Sequence, residues 1–428
     1  MSVLDERIKR TEWMMQDRFG MFIHWGLYSV PAKGEWLRSV EKTSIEQYQP
    51  YFDTFNPTSF EPQKWARLAK RAGMKYSVLT AKHHDGFCLF DSKLTDYKST
   101  NTPTHRDFVR EYVDAFRAEG IKVGLYYSLI DWHHEDYPAY GDRLHPMRDN
   151  EEYKHHGKHF ENYIRYFHGQ VRELLTNYGD IDLLWFDYSY DDMTGEKWEA
   201  TELVKMIREL QPNIVINNRL GGKILSAEPE LYSGDFHSPE QIIPPDGVLN
   251  ELGQPVPWEE CITLNSNWGY ISNCSEYKSA KDVVRLLVEC VSKGGNLLLN
   301  IGPDAKGKIP ARCEEILCEV GEWLKVNGES IYNCGRSKFS KPEWGRITQN
   351  KDYIYVHVLE PSVGSLFIKE AANRAEYARL MLDGSEIPME EPWNLTYLGS
   401  DEYLFLNKPF FKLPDEIDTV IAVKLKTQ

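Results

Sequence analysis

Six apolar runs along this chain each stop on a polar or ionisable side chain, and that repeated ending constrains the fold more than any other feature. Leu183-Leu184-Trp185-Phe186 closes on Asp187, Met21-Phe22-Ile23 on His24, and Tyr76 to Lys82 on the pair His83-His84. Val123-Gly124-Leu125 closes on Tyr126-Tyr127, Ile214 to Asn218 on Arg219, and Leu297-Leu298-Leu299 on Asn300. Short apolar runs without alternation read as strands buried on both faces, the pattern of a parallel sheet covered by helices. In a barrel of such strands, chemistry sits at the C-terminal strand ends. Burying a ring of charge and imidazole at one end of a core is costly unless something uses it, so the endings are read as one site.

Helices with complete punctuation separate the strands. Pro62 opens a first turn, Trp65, Leu68, Ala69 and Ala72 form an apolar stripe, and Gly73 supplies a left-handed stop before Tyr76. Thr104 with Asp107 can cap the next helix, which carries Phe108, Val109, Tyr112, Val113 and Phe116 on one face and ends at Gly120. Further helical patterns cover 154–178, 196–210, 279–293 and 311–327. The strand count is close to that of a (β/α)8 barrel, which is expected over residues 1–335. A doubly wound open sheet would want a glycine-rich phosphate loop after its first strand, where this chain has Ile23-His24-Trp25-Gly26-Leu27.

After about Cys334 the pattern changes to short strands with turn signals: Tyr353 to Val358, Ser365 to Lys369, Tyr377 to Leu382, Tyr403 to Leu406 and Thr419 to Leu425. Residues 336–428 therefore read as a small antiparallel β-sandwich. Ile224 to Pro257, rich in Pro, Gly and Glu, is the expected long active-site loop.

A length of 428 residues suits one large and one small domain. The net charge of −15 with no basic stripe argues against nucleic acid or an anionic membrane as partner. The first residues, Met1-Ser2-Val3-Leu4-Asp5-Glu6-Arg7, have neither a basic n-region nor an apolar h-region, and no apolar run approaches the ~20 residues of a membrane span. A cytoplasmic protein is expected. Seven cysteines without framework spacing suggest free thiols, and Cys313 and Cys318 on a helix pattern are not taken as a metal pair. The sequence leaves a homo-oligomer open. Aromatic residues make up 13% of the chain and crowd the strand ends, where ring faces with polar rims suit a sugar.

These motifs resemble those of the retaining α-L-fucosidases. Phe22-Ile23-His24-Trp25-Gly26, Gly34-Glu35-Trp36, Lys82 to Phe87, Leu184 to Asp187 and Lys293 to Pro303 follow the family's order across the first domain. The resemblance implies a (β/α)8-like barrel followed by a β-sandwich. It also implies a fucosylated oligosaccharide or glycoconjugate as substrate, and no cofactor. Retaining glycosidases need two carboxylates about 5 to 5.5 Å apart. Asp187 matches the family nucleophile, although a carboxylate past a strand can also be a helix N-cap, a place Asp191 or Asp192 would fill equally well. Glu240, in Asp235 to Glu240, best matches the acid/base. Glu259, beside Trp258, is its rival.

The resemblance assigns His24, Glu35, Trp36, His83, His84, Tyr126, Trp185, Arg219 and Trp268 to the fucose pocket. Imidazoles and Arg219 can hydrogen-bond adjacent hydroxyls, while a Trp face can receive the C6 methyl of fucose. His133, His134, His155 and His156 lie outside the motifs and read as surface or loop residues. The rival enzyme class is a metal-dependent barrel hydrolase in which His24, His83, His84 and Asp187 hold zinc. Against it, His83 and His84 should point to opposite sides of an extended strand. A carbohydrate-binding protein without turnover is the other alternative, but it would not need Asp187 and Glu240.

Overall fold

The computed structural model describes residues 3–393 and 402–426, so residues 1–2 of the first expected domain and 394–401 and 427–428 of the second lie outside the described residues. Seven parallel strands form the first sheet: Phe19–Ile23 (β1), Tyr76–Lys82 (β2), Lys122–Ser128 (β3), Leu183–Asp187 (β4), Val215–Ile216 (β5), Glu259–Thr263 (β6) and Asn296–Ile301 (β7). Their order is β5-β4-β3-β2-β1-β7-β6. Ile23 is opposite Leu79 on one side and Ile301 on the other, and Ser128 is opposite Asp187. The register therefore brings the polar endings of neighbouring strands to one rim of the curled sheet.

The sheet is one strand short of the expected eight, and the missing place lies between β5 and β6. Residues 235–241 run through that gap as a chain of single parallel bridges, Asn217 to Phe236, His237 to Trp258 and Glu240 to Cys261. Asp235 N donates to Ile216 O on one side, while Glu259 N donates to His237 O on the other. Pro239 within this segment has no N–H to give to a continuous ladder. The buried Asp235 carboxylate anchors the segment, accepting from Arg10 Nη2 at 2.8 Å, Arg208 Nη2 at 2.7 Å and Ile216 N at 2.9 Å.

Helices pack on the outside as their punctuation requires. Pro62–Arg71 begins on its proline and buries Trp65, Ala66 and Ala69, and Gly73 follows at φ +82°. Asp107 caps Phe108–Ala118 by accepting from Arg110 N. Phe160–Asn177, Ala200–Leu210, Ala280–Ser292 and Ala311–Asn327 occupy the other four helical stretches, the third opened by a Ser279–Asp282 capping box. Val3–Asp17 forms a further helix before β1.

The C-terminal strands are Gly335–Arg336 (β8), Gly345–Gln349 (β9), Tyr353–Val358 (β10), Leu366–Lys369 (β11), Ala375–Leu380 (β12), Tyr403–Leu406 (β13) and Thr419–Leu425 (β14). They form an antiparallel sheet in the order β12-β14-β10-β9-β8 and a separate β11-β13 pair. The expected division after residue 335 falls inside β8. Tyr355, Met381, Val420 and Ala422 extend the barrel's apolar core across the junction. Trp323 Nε1 donates to Asp418 O, and Arg285 donates to Leu359 O and Ile417 O. All seven cysteines are free thiols, and no helix among the described residues is long and apolar enough to cross a membrane.

Candidate active site

At the rim where the strands end is a pocket lined by His24, Glu35, Trp36, His83, His84, Tyr126, Trp185, Asp187, Glu240 and Trp268, with Phe22, Tyr188 and Cys261. The first ten are among the residues singled out from the sequence. Arg219, outside that lining, completes the set by bonding to both carboxylates. Glu259, the alternative proton donor, is not in the pocket: it is fully buried on β6, and Tyr76 Oη donates to it. Phe22 was legible in principle, since it lies two residues before His24 on the same face of β1.

Asp187 ends β4 with its side chain 11% exposed and both oxygens engaged. Tyr126 Oη donates to Oδ2 at 2.8 Å and Arg219 Nη1 to Oδ1 at 2.9 Å. Burial raises the pKa of this carboxyl, while Arg219 lowers it. Arg219 Nη2 donates to Glu240 Oε2 at 2.8 Å, so one guanidinium carries both acids. The two differ in access, because the Glu240 side chain is 40% exposed against 11% for Asp187. Arg219 lies over the Trp185 ring at 4.7 Å and also donates to Ser238 Oγ and Ser238 O. Tyr188, directly after Asp187, is held at φ +70°, and its ring packs edge-on against His84 and Trp36.

Neighbouring bonds fix the proton positions on two imidazoles. Asn300 Nδ2 donates to Trp268 O, so Asn300 Oδ1 accepts from His24 Nδ1–H at 2.7 Å and His24 Nε2 is left as an acceptor. Ser128 Oγ donates to Ile130 O and therefore accepts from His84 Nδ1–H, leaving His84 Nε2 as an acceptor 3.9 Å from Asp187 Oδ2. Burial pushes His24 down to about 3 and holds His83 and His84 well below the ordinary imidazole range. All three are neutral at physiological pH, suited to accepting sugar hydroxyls. Glu35 Oε2 accepts from Gly269 N at 2.7 Å, and burial raises its pKa.

The expectation that His83 and His84 diverge fails. β2 ends at Lys82, the chain turns, and the two rings lie with centroids 4.0 Å apart and face the same cavity. Among the described residues, no three His, Cys, Asp or Glu side chains are grouped so as to hold a metal ion. His133, His134, His155 and His156 lie away from the pocket, in the loops between β3 and the helix from Phe160.

Fold and site together define a barrel glycoside hydrolase: two carboxylates on a shared arginine, in a pocket walled by aromatic rings and neutral imidazoles. A family model described as alpha-L-fucosidase matches residues 3–329, and the chain belongs to that family, glycoside hydrolase family 29. It is 60% identical to alpha-L-fucosidase isoenzyme 1 from Paenibacillus thiaminolyticus, with a TM-score of 0.96 over 99% of this chain and 100% of that one. The plasma alpha-L-fucosidase of Homo sapiens is 31% identical over 388 residues, 83% of this chain and 78% of the relative. A Bacteroides thetaiotaomicron GH29 alpha-L-fucosidase, captured as a trapped covalent intermediate with 2-fluoro-fucosyl fluoride in a Glu-to-Gln mutant, is 31% identical with a TM-score of 0.84, covering 98% of this chain and 96% of that one.

Proposed function

We propose that this enzyme is a retaining, exo-acting α-L-fucosidase that removes terminal α-L-fucosyl residues from glycans or glycosides through a covalent fucosyl-enzyme. The observation that carries the reading is the Asp187–Arg219–Glu240 bridge. Sharing one guanidinium suits the short carboxylate spacing of retaining enzymes, about 5 to 5.5 Å, rather than the wider gap that admits a water. Asp187, ionised beside Arg219 and oriented by Tyr126, attacks the anomeric carbon. The more exposed Glu240 protonates the departing oxygen and then takes a proton from the incoming water. Atoms balance over the two steps: the glycosidic bond is exchanged for an ester to Asp187, and that ester for a bond to water.

The pocket gives this chemistry its sugar. His24 and His84 offer acceptor nitrogens, Glu35 offers a carboxyl, and Trp36, Phe22 and Trp268 supply apolar faces for the C6 methyl. Val78, Leu183, Val215 and Leu298 pack in one buried cluster with the pocket's Phe22, Tyr126 and Trp185, which suits a single terminal residue. The trapped intermediate of the Bacteroides relative supports the double displacement. No cofactor is assigned, and the partners proposed are fucosylated oligosaccharides or glycoconjugates. Proton NMR of the first-formed sugar tests the reading: α-L-fucose is expected, and β-L-fucose appearing first would show inversion and overturn it.

A further inference from the structure

Beneath the pocket is a carboxyl that the proposed reaction does not use. Glu259 projects from β6 into the barrel core with no exposure, and Tyr76 Oη on β2 donates to its Oε2. Asn296 Nδ2 of β7 donates to the same Tyr76 oxygen at 3.3 Å and to Met14 O at 2.8 Å. On the opposite side, Glu259 Oε1 and the indole N–H of Trp185 are both buried without a hydrogen-bond partner, and the indole is near enough to favour the carboxylate. Trp185 is the ring on which the Arg219 guanidinium rests. A continuous line of contacts therefore runs from Tyr76 through Glu259 and Trp185 to the arginine that holds both carboxylates.

A glutamate in an apolar barrel core costs several kcal/mol unless it is neutral or well paired. Among the described residues no cation pairs with it: the groups around it are Tyr76, Trp185 and the neighbouring Glu260, while Arg18 and Asp17 act on Tyr76. Burial pushes Glu259 up to about 8. Glutamate also supplies what an apolar residue of the same size cannot, an acceptor for the indole and a partner for the phenol on opposite sides of one group.

We propose that Glu259 is a positioning residue: through Trp185 it sets where Arg219 sits, and so holds Asp187 and Glu240 in reacting geometry. This rests on the catalytic reading given above. Since Glu259 touches no substrate, its effect should fall on kcat more than on KM. Its ionisation on the alkaline side should disturb the indole.

Three variants test this, Glu259→Gln, Glu259→Leu and Trp185→Phe, assayed on 4-nitrophenyl α-L-fucoside and followed by tryptophan fluorescence from pH 6 to 10. Glu259→Gln, with its amide N–H turned to Tyr76 Oη and its oxygen to the indole, keeps a polar group of the same shape on both sides and should retain wild-type kcat. Glu259→Leu fills the space without the polar contacts and should lose about a hundredfold in kcat, the cost of misplacing a group by an ångström. Wild-type fluorescence should titrate with a midpoint near 8, and that titration should vanish in Glu259→Gln and in Trp185→Phe but persist in a Glu260→Gln control, since burial pushes the neighbouring Glu260 to about 8 as well. Wild-type kcat in a folded Glu259→Leu, or a titration that survives in Glu259→Gln, overturns the proposal. Should the leucine variant not fold, the glutamine comparison and the fluorescence titration still decide. The fluorescence readout needs no turnover, so it separates failure of this inference from failure of the Asp187–Glu240 assignment.

Discussion

Glu240 is held in register with Cys261: the backbone around it accepts Cys261 N at Pro239 O, 3.2 Å, and returns Gln241 N to Cys261 O, 3.1 Å. The carboxyl thus leaves a strand-like segment locked to β6, with Gln241 at φ +58° turning the chain away immediately afterwards. A catalytic acid needs this fixity, because proton transfer depends on placement before it depends on pKa.

Replacing Glu240 by alanine should lower kcat/KM on fucosylated oligosaccharides by about 10² to 10⁴-fold and much less on an aryl fucoside, whose leaving group needs no proton. Added azide should yield an α-fucosyl azide, by attack on the glycosyl-enzyme from the face where water enters. Equal losses on both substrates, with no azide product, would remove Glu240 from the proton transfer.

Asp187→Gly should abolish turnover and leave the fold intact, since the side chain stands at the rim and contributes little to core packing. Azide should restore activity with β-fucosyl azide as product. Near wild-type hydrolysis in this variant would mean that another group is the nucleophile.

Arg219→Ala should move the acidic limb of the kcat/KM profile to higher pH. Arg219 lowers the pKa of Asp187, so its loss raises the pH at which the nucleophile ionises. An unmoved limb would show that Asp187 is not the group titrating there.

His24 supplies a stability signature with a definite sign. Its folded pKa of about 3 lies below the unfolded value of 6.5, so between these values the unfolded chain binds a proton that the folded one refuses. Stability is therefore lost as pH falls through that window, by about 1.4 kcal/mol per pH unit for each such group. Urea denaturation at pH 4.5 and 5.5 should give a slope shallower by about this amount in His24→Asn. An unchanged slope would place the His24 proton in the folded state.

Turnover should survive prolonged EDTA dialysis, because among the described residues no three His, Cys, Asp or Glu side chains are grouped so as to hold a metal ion. Loss of activity reversed by one equivalent of zinc would instead point to a metal-dependent hydrolase.

The apolar runs of β1 to β4 and β7, their polar endings and the helix starts at Pro62 and Asp107 are local patterns, and they were readable without coordinates. So were ten residues of the pocket wall and Arg219, because each sits at or near a recognisable strand end or motif. β6 was not: Glu259 and Glu260 interrupt its apolar run, and only the packing of Tyr76 and Trp185 explains why a barrel strand carries a buried glutamate. The direction of the two adjacent histidines was misjudged because strand alternation holds only while the chain stays extended, and here it turns after Lys82.

The sequence by itself determined the alternating architecture, which follows from periodicity and punctuation within a few positions, while its resemblance to the α-L-fucosidases supplied the candidate pocket residues. Only the tertiary structure decided between Glu240 and Glu259 as lining residues. Their difference is one of depth: the first is carried to the rim by a segment bridging β5 and β6, the second is turned inward from β6 itself. That depth depends on pairings across tens of residues, Asp235 with Arg10 and Arg208 at one end and Glu240 with Cys261 at the other. No local pattern encodes such pairings, because they exist only once the sheet has curled and its two edges are joined.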